Sequence, residues 1–455
     1  MKLISIRLTA AILISLPLLS CRQEARWNRP DPVNVVIVMV DTLRADHMSA
    51  YGYERETTPF INKFASQGFV FEHARSQASC TFPSVNSLLT SRNPAIFTRQ
   101  EVDHLGIPEE YPSIAEILKE HGYRTIAVSA SPIIRATPSD FNPIGGFDRG
   151  FDTFVEDTLW KAGGRVNNAI ISQLDTVEEP FFLYAHYMEP HGPYRPPERY
   201  TKRFAGEYEG HHFIKRGNPV PIGRMMYANG PHYDITDRDI QHLVDLYDDE
   251  IRYFDGVFRR LIRILENRDL LDRTLIIISA DHGEEFLEHG QIKHCRGVWD
   301  TVTRVPLIFS FPGVEGGQRF SNAVQNLDIV PTILDYLEID PSGLRFEGTS
   351  LLPVLEGDEP TRAFAFADQR EYRSADNGRF QLILNGDDGN VTLFDLLSDP
   401  LEQHDLFRAD HPEVKRLSDA LNQWLTDTGQ LTRFDEELAA AKKKEEELRA
   451  IGYLE

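Results

Sequence analysis

The chain has 455 residues, and its 41% hydrophobic and 26% charged residues are ordinary globular usage, which argues against disordered, collagenous and coiled-coil proteins. Lys and Arg number 48 against 70 Asp and Glu, and the resulting net charge of −22 argues against general nucleic-acid binding. An anionic substrate would therefore need a local positive centre, for which a bound metal ion is a candidate.

The first predicted element is a secretory signal at residues 1–20, with two basic residues before an apolar run that is too short to span a bilayer comfortably. The signal ends in Leu-Leu-Ser-Cys, which resembles a bacterial lipobox and predicts lipidation of Cys21. The alternative is an ordinary signal peptide with a chance cysteine. Lipidation predicts an exported lipoprotein of the cell envelope, facing the periplasm or the cell surface. It would be attached to a membrane by its N-terminal lipid, with residues 21–32 as a polar linker.

Buried strands and amphipathic helices alternate in the next part of the chain. Nearly continuous apolar runs, typical of strands covered on both faces, occur at residues 33–40, 125–128, 181–185 and 275–280. Between them, one helix is predicted to begin after Pro112, at Ser113, and a longer one to span about residues 239–266. This alternation predicts an α/β domain over residues 33–341, with a mostly parallel central sheet flanked by helices.

The pattern changes after about residue 342. Short strands are predicted at residues 380–384 and 391–394, followed by a helix at about residues 412–426. These elements indicate a smaller C-terminal α+β subdomain over residues 342–430. The remaining residues, 431–455, are predicted to form a charged helical tail.

Polar residues able to bind a metal or an anion follow three of the buried strands. Asp41 follows the first strand, His186 follows the third with His191 shortly after it, and Asp281 and His282 follow the fourth. Ligands of open α/β sheets bind beyond the carboxyl ends of the strands, so these side chains are expected to meet in one crevice. A single Asp in such a position often only begins a turn, but three coincidences on separate strands favour a site.

Two further segments contain candidate functional residues. In residues 79–84, Ser-Cys-Thr-Phe-Pro-Ser, Ser84 is predicted to be the N-cap of a helix over residues 85–90. Cys80 and Thr81 would then lie near a helix N-terminus, where backbone N–H groups favour an anion or an alkoxide. The polar segment further along contains Glu285, His289, His294 and Arg296. Taken singly, a histidine there is more often solvated or locally bonded than a ligand.

Taken together, these motifs resemble the sulfatase family of the alkaline-phosphatase superfamily. The resemblance is carried by the opening VNVVIVMVDTLRADHMSAYGYERETTPFINKFASQGFVFEHA, by CTFPSVNSLLTSR, HYMEPHGPY, ADHGEEFLEHG, RVPLIF and LDIVPTILD, and by the ending FDLLSDPLEQHDL. It extends over about residues 33–454 in the family's order. It implies an alkaline-phosphatase-like fold and the hydrolysis of a sulfate or phosphate ester.

The resemblance also implies one divalent cation beside a nucleophile, with the substrate's anionic ester group on the metal. Family positions that bind the metal are matched by Asp41, Asp281 and His282. His191 matches the histidine that contacts the ester group. His294 or Arg296 falls near the Lys or His that family members place before R-V-P, so both are assigned, with His191, to catalysis. Calcium is the cation that the resemblance implies.

The sequence departs from the family at the nucleophile. Sulfatases convert the Cys or Ser two residues before the Pro of C-x-P-S-R into formylglycine. Here the residue two before Pro83 is Thr81, Cys80 lies three before it, and Val85 replaces the Arg, so formylglycine conversion is not expected. Thr81 is therefore the predicted nucleophile, activated by the metal that it helps to bind. A second departure is Thr42, which stands where many sulfatases have a second Asp ligand.

The predicted metal site offers mostly oxygen ligands and one nitrogen, which suits zinc or manganese about as well as calcium. Its ligands are Asp41, Thr81, Asp281 and His282. The expected substrate is an anionic ester on a sulfated or phosphorylated glycan, a lipid or a small molecule. Three functions stay open: hydrolysis of a sulfate or phosphate ester through Thr81, which we favour, a phosphotransferase that modifies an envelope lipid or glycan, and non-catalytic anion binding.

The cysteines leave one question open. Three cysteines are too few for a scaffold held by disulfides. Cys80 and Cys295 both lie in segments assigned to the rim of the site, and in an oxidising compartment they could pair or stay as free thiols. Pairing requires Cα atoms within about 7 Å of each other. The sequence does not decide between these alternatives.

Overall fold

The computed structural model describes residues 27, 29–95, 106–156, 162–201, 203–208, 212–215, 218–221, 235–360 and 362–428. The predicted signal peptide, the lipidation site Cys21 and the charged tail at residues 431–455 lie outside the described residues. Within the described ranges, no helix has both the length and the apolar composition that crossing a bilayer requires.

The central element is an eight-stranded, mostly parallel sheet. Its strands are β1 (Asn34–Val40), β2 (Phe69–Arg75), β3 (Arg124–Ser129), β4 (Thr153–Val155), β5 (Phe181–Tyr187), β8 (Thr274–Ala280), β11 (Arg304–Ser310) and β12 (Gln318–Gln325). Their order is β12-β2-β11-β8-β1-β5-β3-β4. Only β11 runs against its neighbours, which are β2 and β8. The fold class predicted from the sequence is confirmed.

Helices flank this sheet. Those described are α1 (Pro59–Ala65), α2 (Thr81–Thr90), α3 (Ile114–Glu120), α4 (Gly163–Leu174), α5 (Asp237–Glu266), α6 (Asp300–Thr303), α7 (Ile329–Tyr336), α8 (Leu352–Glu356) and α9 (Pro412–Asp427). Helix α5 packs against α1 and α4, while α2 packs against α3 and α7. The strands β1, β5 and β8 are buried along their whole length, which explains why they are apolar without alternation. As predicted, α3 begins after Ser113, which caps it together with Glu116.

A second, antiparallel sheet forms the C-terminal subdomain. Its strands follow one another as β13 (Ala365–Gln369), β14 (Tyr372–Asp376), β15 (Phe380–Asn385) and β16 (Asn390–Asp395). Helix α9 covers β14 and β15. Its apolar side chains share a core with Leu382 and Leu393 of the sheet. Two short hairpins complete the described strands, β6 (His212–Lys215) with β7 (Asn218–Pro221) and β9 (Glu285–Phe286) with β10 (Ile292–Lys293).

The predicted start of helix α2 was wrong. The helix begins at Thr81, with Cys80 as the N-cap residue, and Ser84 lies inside it. Pro83 is compatible with this start, although proline has no backbone N–H to donate. The N–H groups of the first helical turn have no intrahelical acceptor, so a proline there costs no hydrogen bond. Thr81 is thus held in the first turn of a helix, in a more defined position than a preceding loop would provide.

A buried charge cluster joins the two sheets. The guanidinium of Arg75, at the end of β2, contacts Asp300 at 2.6 Å and also contacts Asp376 of β14. Glu402 accepts a hydrogen bond from the backbone N–H of Asp300 at 2.6 Å. All four side chains are buried. Burial first, and then the neighbouring Asp300, raise the pKa of Glu402 well above its ordinary value.

Because the pKa of Glu402 is raised, we expect its titration to lower the free energy of unfolding as the pH rises. In the unfolded chain Glu402 ionises near its ordinary pKa of about 4.3. Above that pH the unfolded state loses the proton while the folded state keeps it, so the free energy of unfolding declines until the folded pKa is reached. We expect Glu402→Gln to lose less thermal stability than the wild type between about pH 5 and pH 8 in calorimetry. The exposed Glu315→Gln should behave as the wild type, and equal pH slopes for all three proteins would contradict the assignment.

Candidate active site

Helix α2 is tied to the carboxyl end of strand β8. The hydroxyl groups of Ser76 and Ser84 both donate hydrogen bonds to the carbonyl oxygen of Asp281, and their two oxygens lie 2.8 Å apart. These bonds place the first turn of α2 beside the Asp-His pair that follows β8. Thr81 lies there with only 3% of its surface exposed.

The hydroxyl of Thr81 meets a histidine. Its Oγ1 lies 3.2 Å from Nε2 of His282. Nδ1 of the same ring donates to the carbonyl oxygen of Gly283 at 2.9 Å, so in the neutral ring Nε2 holds the lone pair. Nε2 is also 3.5 Å from Oδ2 of Asp281. This nitrogen can therefore accept the proton of Thr81 or bind a cation next to Asp281.

A cluster of side chains that could hold a metal ion lies at the ends of three adjacent strands. Asp41, His186 and Asp281 each offer one ligand atom, and these atoms all lie within 4.8 Å of one another. The strands β1, β5 and β8 are neighbours in parallel register, which brings their ends together. All three side chains are buried. Asp41 and Asp281, which the sequence predicts to meet in one crevice, lie side by side in this cluster.

The donor set of this cluster fits a cation. Oδ1 of Asp281 accepts hydrogen bonds from the backbone N–H groups of Thr42 at 3.1 Å and His282 at 2.9 Å. Its Oδ2 is buried and accepts no hydrogen bond from the residues that the structure describes. Two buried carboxylates a few ångströms apart are costly unless a positive charge compensates them. A divalent ion bound between Asp41 and Asp281 would supply that charge.

His186 was noted in the sequence as a strand-end residue but not assigned to the metal. Its Nε2 lies 3.3 Å from Oδ2 of Asp41, and its Nδ1 lies 2.9 Å from the hydroxyl of Tyr184. Burial lowers the pKa of His186 to about 4, so the ring is neutral at physiological pH. When Nδ1–H donates to Tyr184, the lone pair of Nε2 points to the carboxylates, as a metal-binding histidine requires.

Thr42, in contrast, presents its backbone to Asp281 through the N–H hydrogen bond described above. The residue adopts a left-handed φ of 59°, which is uncommon for a β-branched residue. Its carbonyl oxygen accepts a hydrogen bond from Tyr247 at 2.6 Å. The position at which the family resemblance expects a second aspartate thus contributes its backbone, and the third donor atom of the cluster belongs to His186 on the neighbouring strand.

Two further histidines line the site. The rings of His294 and His282 are 4.4 Å apart, and those of His294 and His191 are 5.1 Å apart. Nδ1 of His294 donates to Glu284 at 2.7 Å, and the other oxygen of Glu284 accepts from the hydroxyl of Tyr194 at 3.0 Å. Burial disfavours the charge on Glu284, but the adjacent His294 outweighs it and lowers the pKa to about 2. Glu284 is thus an ionised partner that orients His294.

His191, which the family resemblance assigns to contact with the ester group, lies beside the carboxylate of Asp41. Its Nε2 is 4.0 Å from Oδ1 of Asp41, and its Nδ1 donates to the carbonyl oxygen of Gly192 at 2.6 Å. Burial lowers the pKa of His191 well below its ordinary value, and the nearby His294 adds to this effect. In the neutral ring, whose Nδ1–H donates to Gly192, Nε2 carries the lone pair, so it can accept a proton or bind a cation but cannot donate to an anionic oxygen.

Arg296 is not brought into this cluster. Its side chain is exposed, and no hydrogen bond or ion pair connects it to another described residue. The residue before it, Cys295, forms a disulfide with Cys80, with Cα atoms 4.7 Å apart. The structure therefore decides the question that the sequence left open, in favour of pairing. Of the two residues assigned near R-V-P, His294 is the one that faces the site.

Comparison with known proteins now identifies the family. The sulfatase family model matches residues 33–339. The chain belongs to the sulfatase family. A second model, the C-terminal region of N-sulphoglucosamine sulphohydrolase, matches residues 288–430. The prediction of an enzyme that hydrolyses ester bonds is confirmed at the level of this family.

Individual relatives of this sulfatase-family chain are distant. Human arylsulfatase K is 25% identical over 366 residues, which cover 73% of this chain and 68% of the relative. A protein solved in complex with its substrate D-glucosamine-2-N,6-O-disulfate superimposes with a TM-score of 0.69 at 19% identity, covering 88% and 98% of the two chains. The phosphonate monoester hydrolase of Agrobacterium radiobacter gives the same TM-score and identity, with 88% and 96% coverage. At this identity the structural matches establish the fold.

Proposed function

We propose that this sulfatase-family protein is a metal-dependent hydrolase of sulfate or phosphate esters in which Thr81 is the nucleophile. The observation that carries the proposal is the 3.2 Å approach of the Thr81 hydroxyl to Nε2 of His282, beside the buried cluster of Asp41, His186 and Asp281. This arrangement provides a hydroxyl, a proton acceptor and a cation site within one crevice. We further propose that the protein acts in the cell envelope as a lipoprotein anchored through Cys21.

The cation would be held by Asp41, His186 and Asp281, with Thr81 as an additional ligand that the sequence predicts. We propose His282, which the sequence also assigns to the metal, as the proton acceptor instead, because the single lone pair of its Nε2 cannot serve both purposes. When bound, it would neutralise the anionic ester and lower the pKa of the nucleophilic hydroxyl. The donors include an imidazole besides carboxylate oxygens, and imidazole suits zinc better than calcium or manganese, which prefer oxygen ligands. The proposal therefore favours zinc over the calcium implied by the family resemblance, with manganese as a second candidate.

The chain's own groups account for the proton transfers. In the first step, Thr81 Oγ1 forms a bond to sulfur or phosphorus and gives its proton to His282 Nε2, while the bond to the alcohol oxygen breaks. His294 is oriented by Glu284 and gives that leaving oxygen a proton, so the alcohol departs neutral. In the second step, water displaces Thr81, which recovers its proton from His282 as inorganic sulfate or phosphate is released. The water gives one proton to His294, and its remaining OH becomes part of the released sulfate or phosphate.

The substrate class follows from the site and from the relatives. A bound cation next to the neutral His191 would attract an anionic ester even though the chain carries a net charge of −22. The structural relatives act on a sulfated glucosamine and on phosphonate monoesters. We therefore propose a sulfated or phosphorylated glycan, lipid or small molecule as the substrate.

The role of His282 can be separated from metal binding with one substitution. His282→Asn keeps a side-chain oxygen that could bind a cation but removes the proton acceptor. We expect kcat to fall by about 100-fold or more, as for loss of a general base, with cation affinity reduced by less than about tenfold. Turnover assays and isothermal titration with zinc would measure both quantities. A variant that keeps its activity would show that His282 serves only as a ligand.

The reaction class is tested with purified protein loaded separately with zinc, manganese and calcium. Aryl sulfates, phosphate monoesters and phosphodiesters are offered with and without an alcohol acceptor such as glycerol, and products are identified by mass spectrometry. We expect release of inorganic sulfate or phosphate to water. Transfer to glycerol as the main product would establish a phosphotransferase instead. Tight binding of an ester without turnover, for every loaded form, would establish a non-catalytic anion-binding protein.

A further inference from the structure

The segment that carries His294 has an unusual backbone. Lys293 has a φ of +95° and Cys295 a φ of +71°, both in the left-handed region that residues with a side chain rarely adopt. Gly297 has a φ of +124°, and a Cβ at that position would lie 2.1 Å from the ring of Trp299. Left-handed residues outside glycine persist when the surroundings hold them in place. His294 thus lies in a segment that needs external support to keep its conformation.

That support comes from the residues just before the predicted nucleophile. The backbone N–H of Cys295 donates to the carbonyl oxygen of Ser79 at 2.7 Å, and the hydroxyl of Ser79 donates to the carbonyl oxygen of Gly297 at 2.7 Å. Between these two hydrogen bonds, the disulfide joins Cys295 to Cys80, the N-cap of α2. One covalent bridge therefore connects the neighbour of Thr81 to the neighbour of His294, across 215 positions of sequence.

His294 is held from its other side by a side chain rather than by the backbone. Glu284 accepts the hydrogen bond from Nδ1, and Glu284 is itself fixed by the hydroxyl of Tyr194. Glu284 therefore fixes the orientation of the His294 ring, while the disulfide fixes the position of the backbone next to it. Nε2 of His294 is the ring nitrogen left for the substrate, next to the His282 that meets Thr81.

We propose that the Cys80–Cys295 disulfide is a positioning element that holds the spacing between the nucleophile Thr81 and the proton donor His294. The proposal rests on the proposed function for the roles of these two residues. Breaking the bridge releases the left-handed backbone around Cys295, so His294 no longer stays within reach of the leaving oxygen. The metal cluster is built on β1, β5 and β8 and should be unaffected. Activity therefore depends on an oxidised disulfide that takes no part in the reaction.

The test compares the oxidised wild type, the same protein reduced by a dithiol, and the double variant Cys80→Ser/Cys295→Ser. In the reduction, the dithiol closes to a cyclic disulfide while the two cysteines gain two electrons and two protons as thiols. We expect kcat to fall about 10- to 100-fold in the reduced protein and in the double variant, as misplacement of a reacting group by about 1 Å does. KM and zinc affinity should change by less than about threefold, because the cation site and ester contacts remain.

Three comparisons separate positioning from general damage. Re-oxidation of the reduced wild type by a small linear disulfide should restore kcat. The double variant should be insensitive to the dithiol, which controls for removal of metal by the reductant. An unchanged kcat on reduction would overturn the proposal. A parallel collapse of KM and zinc affinity would also overturn it, because it would indicate general unfolding.

Hydrogen exchange provides a readout that does not require activity. Reduction should speed amide exchange in peptides covering residues 288–297, while peptides of β1 keep their protection. If the oxidised wild type hydrolyses none of the offered esters, the proposed function fails, and the exchange measurement still decides on the bridge. Equal exchange at residues 288–297 in the oxidised and reduced proteins would show that the disulfide does not hold this segment.

Discussion

Thr81→Ala is expected to remove nearly all turnover. We predict a fall in kcat of roughly a thousandfold or more, because the substitution deletes the group that forms the covalent bond. KM and the affinity for zinc should change far less, since Asp41, His186 and Asp281 remain. Thr81→Ser should keep a measurable part of the activity, because the hydroxyl is preserved and only a methyl group is lost. Steady-state assays with an aryl ester measure all three proteins.

The matched comparison is the adjacent residue. Cys80→Ser changes the N-cap residue of α2, next to Thr81, but it removes a positioning bridge and not a reacting atom. Its loss of kcat should therefore be at least about tenfold smaller than that of Thr81→Ala. Intact-mass analysis should find Cys80 unmodified apart from its disulfide. Formylglycine at Cys80, or an active Thr81→Ala together with an inactive Cys80→Ser, would restore the usual sulfatase mechanism and contradict this assignment.

The second large effect is expected at Asp281. Asp281→Asn preserves the shape of the side chain but removes one of the two buried negative charges that would hold the cation. We expect the affinity for zinc to fall by more than about 100-fold. Loss of a residue that only hydrogen-bonds to a metal ligand costs up to about 100-fold, and a direct ligand should cost more. Activity should fall with it and recover partly at high zinc. Equilibrium dialysis with elemental analysis measures the binding directly, and unchanged affinity would show that the cation lies elsewhere.

A substitution of His186 tests whether its ring nitrogen binds the cation, because zinc and calcium should respond differently to it. His186→Ala removes the nitrogen donor from the cluster and leaves both carboxylates, so zinc affinity should fall by about tenfold or more while calcium affinity changes much less. Tyr184→Phe removes only the hydroxyl that faces Nδ1 of His186 and should have a smaller effect of the same sign. Equal losses for zinc and calcium would contradict direct ligation by His186.

The fold could be predicted closely because the central strands are buried on both faces. Their continuous apolar runs have few other interpretations, and the strand predicted at residues 275–280 is Thr274–Ala280 in the structure. The long helix predicted at residues 239–266 begins two residues earlier, at Asp237, after the capping residue Thr236. The boundaries proposed for the domains and for the N-terminal signal stay predictions.

The site could be predicted only in part, because its remaining members depend on tertiary proximity. Asp41 and Asp281 follow their strands directly, so position along the chain was sufficient for them. His186 lies within β5, and its role is visible only when β5 is placed next to β1. A histidine and a tyrosine two positions apart in an apolar strand share one face, and this was the available signal.

Two further features could not be read from spacing. The sequence drew attention to Glu285, whereas the partner of His294 is Glu284, since neighbouring residues face opposite ways. Glu285 instead bonds His289 and Thr301. The pairing of Cys80 with Cys295 depends on the approach of helix α2 to the segment after β10, which residues 215 positions apart do not reveal.

The most direct test of the central claim is to trap the covalent Thr81 ester. Zinc- or manganese-loaded protein is mixed with an aryl sulfate or an aryl phosphate, quenched in acid within the first turnover, digested and sequenced by mass spectrometry. We predict one sulfuryl or phosphoryl group on Thr81 in the peptide that contains residues 79–84, and none in Thr81→Ala. Rapid turnover in which the group is found on no residue, or on a residue other than Thr81, would contradict the account.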